Sequence, residues 1–235
     1  MSNRPGRKIS RQTARRPQHR KAKTPSLDRR VLLIIGVMVA ASVIIGLVVV
    51  VTGNGSGPSV TQTSASVQVQ GASLPIFDDT VSDTAIGMTA PGFITTDFDG
   101  ISHEVTGDGG PTDTAKVIGM FAHWCPHCQV EVPVVSQWLA DNQVPDGVEV
   151  IAISSLVNAG RGNYPPSEWF QSVNWPSPVL LDSKSDELAE AFGLSTIPYW
   201  IVLGPDNTVL DRQSGEIGAD AFAALVDMAE ASVAN

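Results

Sequence analysis

The chain predicts an α/β fold, with a central sheet of mixed strand direction and helices on both faces. Three observations carry this expectation. Short apolar runs alternate with helical stretches across residues 115–232. The run Val117-Ile118-Gly119-Met120-Phe121-Ala122 leads straight into a helix that opens at Cys125-Pro126-His127-Cys128. Gly204-Pro205-Asp206-Asn207 then joins two apolar runs as a hairpin before a last helix.

Taken in order, strands are expected near Ile101–Val105, Ala115–Phe121, Val148–Ile153, Val179–Leu181, Tyr199–Leu203 and Val209–Arg212. The first helix runs from Pro126 to about Leu139 and should bend near Pro133, which lacks an N–H and crowds the preceding turn. A second covers Ser167–Val173. The third, Lys184–Phe192, has Asp182 or Ser183 as its N-cap and Gly193 just past its end. The fourth runs from Ala219 to about Ser232.

Charge divides the chain unevenly. Residues 1–30 hold eleven of the 15 Lys and Arg with Asp28 as their only acid, so the remainder carries four basic and 23 acidic side chains. Between the two parts, Val31–Val51 is an uncharged apolar run long enough, at about 1.5 Å per residue, to cross a bilayer core of about 30 Å. Basic residues concentrate on its N-terminal side, including Arg29 and Arg30. The expected topology is a single-pass anchor in the cell membrane, with a cytoplasmic N-terminus and an extracytoplasmic catalytic domain. Topology also accounts for the basic tail without nucleic acid. The expected organisation is a disordered tail (1–30), a transmembrane helix (31–51), a flexible Gly/Ser/Thr/Gln linker (52–75) and a folded domain (76–235).

The domain is large enough to bury a core without disulfide staples, and its only cysteines are Cys125 and Cys128. A sulfur at a helix N-terminus faces unpaired N–H groups and the positive end of the dipole, so its thiolate is favoured. The second sulfur, one turn on, is placed to close a disulfide with it. The pattern points to thiol–disulfide exchange. His127 beside Cys125 can donate a hydrogen bond to the thiolate, which stabilises the reduced form and makes the disulfide a stronger oxidant. His123, Cys125, His127 and Cys128 also offer metal-ligand chemistry, but their spacing on a loop and a first helical turn is against a tetrahedron. No phosphate-binding Gly pattern implies a cofactor.

The order strand, Cys-x-x-Cys at a helix start, proline before a β-hairpin and terminal helix resembles the thioredoxin fold. In that fold the matching proline, here Pro198, is cis and lies beside the sulfurs, and the preceding residue, here Ile197, offers backbone hydrogen bonds to an extended substrate. Trp124 is expected to shape the substrate surface, as in many thioredoxins. Ala90-Pro91-Gly92-Phe93 with Asp97-Phe98-Asp99-Gly100 resembles the N-terminal hairpin of the membrane-anchored TlpA/ResA-like group, which is related to AhpC/TSA proteins. Cys125-x-x-Cys128-x-x-Glu131-x-Pro133 resembles the same group, in which a glutamate after the second cysteine lies near the active site.

The 70 residues from Cys128 to Pro198 imply the group's added helix and strand, with residues 163–170 in the insertion. The dipeptide Pro126-His127 is instead that of DsbA proteins. Thioredoxin carries a buried acid where this chain has Gly119, which leaves Glu131 or water to handle the Cys128 proton. A peroxidase reading meets Ala122 and Ile118 where peroxiredoxins need Thr or Ser and Pro.

The resemblance implies cysteine-containing exported proteins as substrates and a membrane redox partner for recycling. The leaning is to an oxidant, with a reductase for cytochrome c maturation or disulfide repair as the alternative. His103 and His123 are expected as surface or loop residues, and Tyr164, Trp169 and Trp175 as core and lid packing.

Overall fold

The computed structural model describes residues 62–105, 113–176 and 178–233. The expected tail and transmembrane helix lie outside the described residues. Among the described residues, no helix is long and apolar enough to cross a membrane.

The centre of the domain is β4 (Ala115–Phe121), every residue of which is buried. Its neighbours are β5 (Val148–Ser154), β6 (Val179–Leu181), β7 (Tyr199–Leu203) and β8 (Val209–Ser214), in the order β6-β5-β4-β7-β8. β4, β5 and β6 run parallel, with β4 in register from Ala115 opposite Val148 to Phe121 opposite Ser154. β7 runs antiparallel to β4, and β8 to β7. The sheet is therefore mixed, as expected.

Alternation along the strands explains why both faces need cover. Val117, Phe121, Val150, Ala152, Trp200 and Val202 belong to one core, against α1 (Pro126–Asp141), α2 (Pro166–Ser172) and α4 (Gly218–Val233). Ile118, Met120, Ile151, Ile153, Tyr199 and Ile201 belong to the other. That second core is closed by α3 (Glu187–Ala191) and by a separate antiparallel sheet of β1 (Gln68–Gln70), β2 (Gly92–Thr96) and β3 (Ser102–Val105). β2 and β3 are the N-terminal hairpin. Its turn is held by Asp97, whose carboxylate accepts from the N–H groups of Asp99 and Ile101 and pairs with His103 at 2.8 Å.

Two local expectations are corrected. The stretch expected as a flexible linker is structured over residues 62–75: β1 pairs with β2, and the Ala65 and Leu74 N–H groups donate to the Asp182 and Ala191 carbonyls. β1 is exposed throughout and is held by backbone pairing, so no apolar alternation marks it. The third helix starts at Glu187 rather than Lys184, because Asp186 takes a left-handed conformation (φ 59°). The predicted capping residues still serve it: Ser183 Oγ accepts from the Glu187 N–H, and the Asp182 carboxylate from those of Leu188 and Ala189. At the other end Gly193, with φ 68°, closes the helix by donating to Glu190 while Leu194 donates to Ala189.

Candidate active site

The turn after β4 delivers the cysteines. Cys125 is the N-cap of α1, and Pro126 takes the first helical position, where its missing N–H costs no hydrogen bond. α1 continues through Pro133 to Asp141, with no acidic residue in its first turn to oppose an anion there. Cys125 is 6% exposed and Cys128 fully buried, and both are free thiols. Burial pushes the Cys128 thiol well above its ordinary value, and the charges of Cys125 and Glu131 push it the same way. The pair is divided: Cys125 keeps a narrow opening at the helix start, and Cys128 is sealed behind it, where burial favours its protonated form.

The loop before β7 supplies the facing wall. The Ile197–Pro198 bond is cis, and the Cys125 thiol donates to the Ile197 carbonyl at 3.7 Å. Gly215, just past β8, donates its N–H to the Pro198 carbonyl at 2.8 Å. Residues 72 positions apart in sequence thus meet at the reactive sulfur.

Glu131 lies on the buried side of α1, 1% exposed. Burial raises its pKa, and the N–H groups of Gly218 and Ile217 offset part of that. Gly218 donates at 3.1 Å to one carboxylate oxygen and lies 3.3 Å from the other. The Trp200 indole N–H also favours the charged carboxylate, from outside hydrogen-bonding geometry. A carboxyl group in this setting holds its proton to higher pH than an exposed glutamate does. It sits one helical turn from Cys128, close enough to act on its charge.

His127 is exposed on the first turn of α1, and its Nδ1 is 2.6 Å from Glu216 Oε1. Trp124 is half-buried and donates its indole N–H to the Leu156 carbonyl at 2.7 Å, while the Arg161 guanidinium stacks 4.6 Å over its ring. Of the residues singled out from the sequence, Cys125 meets Ile197 directly and Cys128 and Glu131 lie behind it on α1, while Trp124 and His127 engage Leu156 and Glu216.

His123 corrects the surface reading. It is fully buried, and both ring nitrogens have backbone partners: Nδ1 lies 2.7 Å from the Gly162 carbonyl and Nε2 accepts from the Asn158 N–H. Its own carbonyl accepts from the Gln129 and Asn163 amides. His123 thus ties residues 158–163 to the start of α1. Burial lowers its pKa, so the ring is held neutral. The four candidate metal ligands are directed to separate partners, with His123 on backbone and His127 on Glu216. Trp169 and Trp175 are buried in the α1-side core, while Tyr164 sets its ring edge against His123 with centroids 5.9 Å apart.

Two parts of the site were not singled out from the sequence. One is the segment from Gly215 to Gly218, which reaches Pro198, His127 and Glu131 in turn. The other is residues 156–163 against Trp124 and His123. The only local signal for the first was the pair of glycines at 215 and 218, both with positive φ.

Residues 86–212 match the AhpC/TSA family, more than half of the chain. The chain belongs to the AhpC/TSA family. Among curated relatives, the thiol-disulfide oxidoreductase ResA of Geobacillus thermodenitrificans is 25% identical over 125 residues, covering 53% of this chain and 67% of the relative. Its counterpart in Geobacillus kaustophilus is 24% identical over the same length. Of solved structures, a thioredoxin-family thiol:disulfide interchange protein from Chlorobium tepidum TLS superposes with a TM-score of 0.50 at 22% identity, over 63% of this chain and 99% of that one. The solution structure of a putative protein disulfide isomerase from Bacteroides thetaiotaomicron superposes with a TM-score of 0.51 at 18% identity, over 64% and 91%. This AhpC/TSA member has the thioredoxin-like fold and is a thiol–disulfide oxidoreductase, its dithiol seated at the start of α1.

Proposed function

We propose that this protein exchanges disulfides with cysteine-containing exported proteins outside the membrane, held there by residues 31–51, and that it works chiefly as an oxidant recharged by a membrane redox partner. The observation that carries the exchange chemistry is the division of the pair: Cys125 at the helix N-terminus against the cis-Pro198 loop, Cys128 buried behind it. The oxidant direction rests on His127 in the dipeptide between them.

In the oxidised protein a substrate thiolate attacks Cys125 Sγ. The bond to Cys128 breaks, its electron pair goes to Cys128, and Cys128 takes a proton. Glu131, buried one turn away with a raised pKa, is the group placed to give that proton. A second substrate thiolate then attacks the substrate sulfur of the mixed disulfide and releases Cys125 as a thiolate. The substrate loses two electrons and gains a disulfide. The reverse direction uses the same atoms, with Cys125 attacking a substrate disulfide and Cys128 resolving it.

The equilibrium reduction potential of the folded domain against glutathione tests the direction. An oxidant lies on the DsbA side of about −200 mV, whereas a value near the roughly −270 mV of thioredoxin would support the reductase reading instead. One observation favours that second reading: the His127 Nδ1 is engaged by a carboxylate rather than by a cysteine.

A further inference from the structure

The segment between β8 and α4 is tied down at both ends within the site. Gly215 donates to the Pro198 carbonyl, and Gly218 donates to the buried Glu131 carboxylate. Glu216 lies between these ties and reaches His127 across 89 positions of sequence. An exposed ion pair on free side chains is worth little, because ordering them costs entropy. Here the two side chains are 67% and 38% exposed, but the backbone under Glu216 is held on both sides, which fixes where its carboxylate can reach.

We propose that Glu216 is a positioning residue that sets the redox potential of the Cys125–Cys128 pair by holding His127. The carboxylate takes the imidazole Nδ1, so that nitrogen cannot donate to the Cys125 thiolate. Its negative charge also cancels the positive charge that a protonated ring would present to the sulfur. Both effects withdraw stabilisation from a Cys125 thiolate, which only the reduced form can present, and leave the oxidised form almost untouched. Glu216 therefore opposes His127 and makes the disulfide less oxidising than the Pro-His dipeptide alone would make it. The inference rests on the exchange chemistry proposed above.

The charge of Glu216 also acts on Glu131, raising its pKa, so an effect through Glu131 has to be separated from one through His127. A double-mutant cycle does this. The oxidised protein is equilibrated with glutathione, two glutathione molecules giving the dithiol protein and one glutathione disulfide. Glu216→Gln shifts this equilibrium toward the reduced protein about tenfold, the worth of one charge-assisted hydrogen bond. In a His127→Ser background the same substitution shifts it less than about twofold.

No shift from Glu216→Gln, a shift toward the oxidised protein, or an equal shift in both backgrounds would overturn the proposal. A wild-type protein that does not exchange with glutathione at all would overturn the exchange reading itself, which separates the two failures.

Discussion

Gly119 on β4 lies directly opposite Trp200 on β7, and the Trp200 and Phe121 rings fill the volume that a side chain at 119 would need. A Cβ there would come within 2.7 Å of the Trp200 ring, and closer still to Phe121. The place where thioredoxin carries its buried acid is thus occupied by aromatic packing. Gly119→Ala should destabilise the domain by about 1–3 kcal/mol, the cost of overpacking a fitted core. Urea denaturation checks it, and an unchanged midpoint would mean that the rings have room to move.

Glu131 makes its own prediction through pH. Its folded pKa is raised above the ordinary 4.5, so the folded state binds more protons than the unfolded one and stability falls as pH rises from 4.5 toward the raised value. Glu131→Gln removes that loss. The variant should equal wild type in stability near about pH 4 and exceed it near about pH 8. In single-turnover exchange it should also slow the step in which Cys128 changes protonation, by about 10²-fold or more for loss of a general acid–base group. A variant that resolves mixed disulfides at the wild-type rate would remove Glu131 from the proton path.

Arg212 and Asp83 hold the N-terminal extension to the sheet. The guanidinium is buried, pairs with Asp83, and donates to the Pro75 carbonyl at 2.8 Å. Arg212→Met leaves Asp83 and that carbonyl unpaired and should cost roughly 3–5 kcal/mol. The hydrogen bond from Arg212 holds the Asp83 carboxyl below its ordinary 3.8, so its stabilisation is present above that pH and is lost as pH falls through the lower folded value. Asp83→Asn should therefore flatten the acid limb of the stability curve. An acid limb identical to wild type would place that dependence elsewhere.

His123 should give the protein a second, milder acid sensitivity. Burial holds its folded pKa below the ordinary 6.5, so the unfolded state binds the extra proton and stability declines as pH falls below 6.5. The ring's two backbone partners lie in residues 158–162, so the same acidification should release that segment and change the emission of Trp124, which lies under Arg161. Hydrogen exchange of residues 158–163 between about pH 7 and pH 5 follows it, and pH-independent protection would argue against His123 as the tie.

What was legible in the sequence follows from how local each signal is. The bounds of β4, β6 and β7 match their apolar runs because each run is short, fully buried and ended by turn residues. Cys125 and Cys128 were legible because a helix start and a three-residue spacing are local geometry, whereas Glu131 was singled out only through the TlpA/ResA-like resemblance. β1 was not, since an exposed Gln-Val-Gln strand is specified by its pairing with Ile94, Phe93 and Gly92 rather than by its own pattern. Glu216 was not legible either. Its meaning depends on His127, which only the fold brings beside it, and the same holds for Gly162 and Asn158 around His123.

The most direct test of the divided cysteine pair is capture of the mixed disulfide. Cys128→Ser, incubated with a disulfide-containing peptide and read by intact mass and peptide mapping, should accumulate a covalent adduct at Cys125, while Cys125→Ser should accumulate none. An adduct on Cys128 in the Cys125→Ser protein, formed as fast as the first, would contradict the assignment of Cys125 as the attacking sulfur.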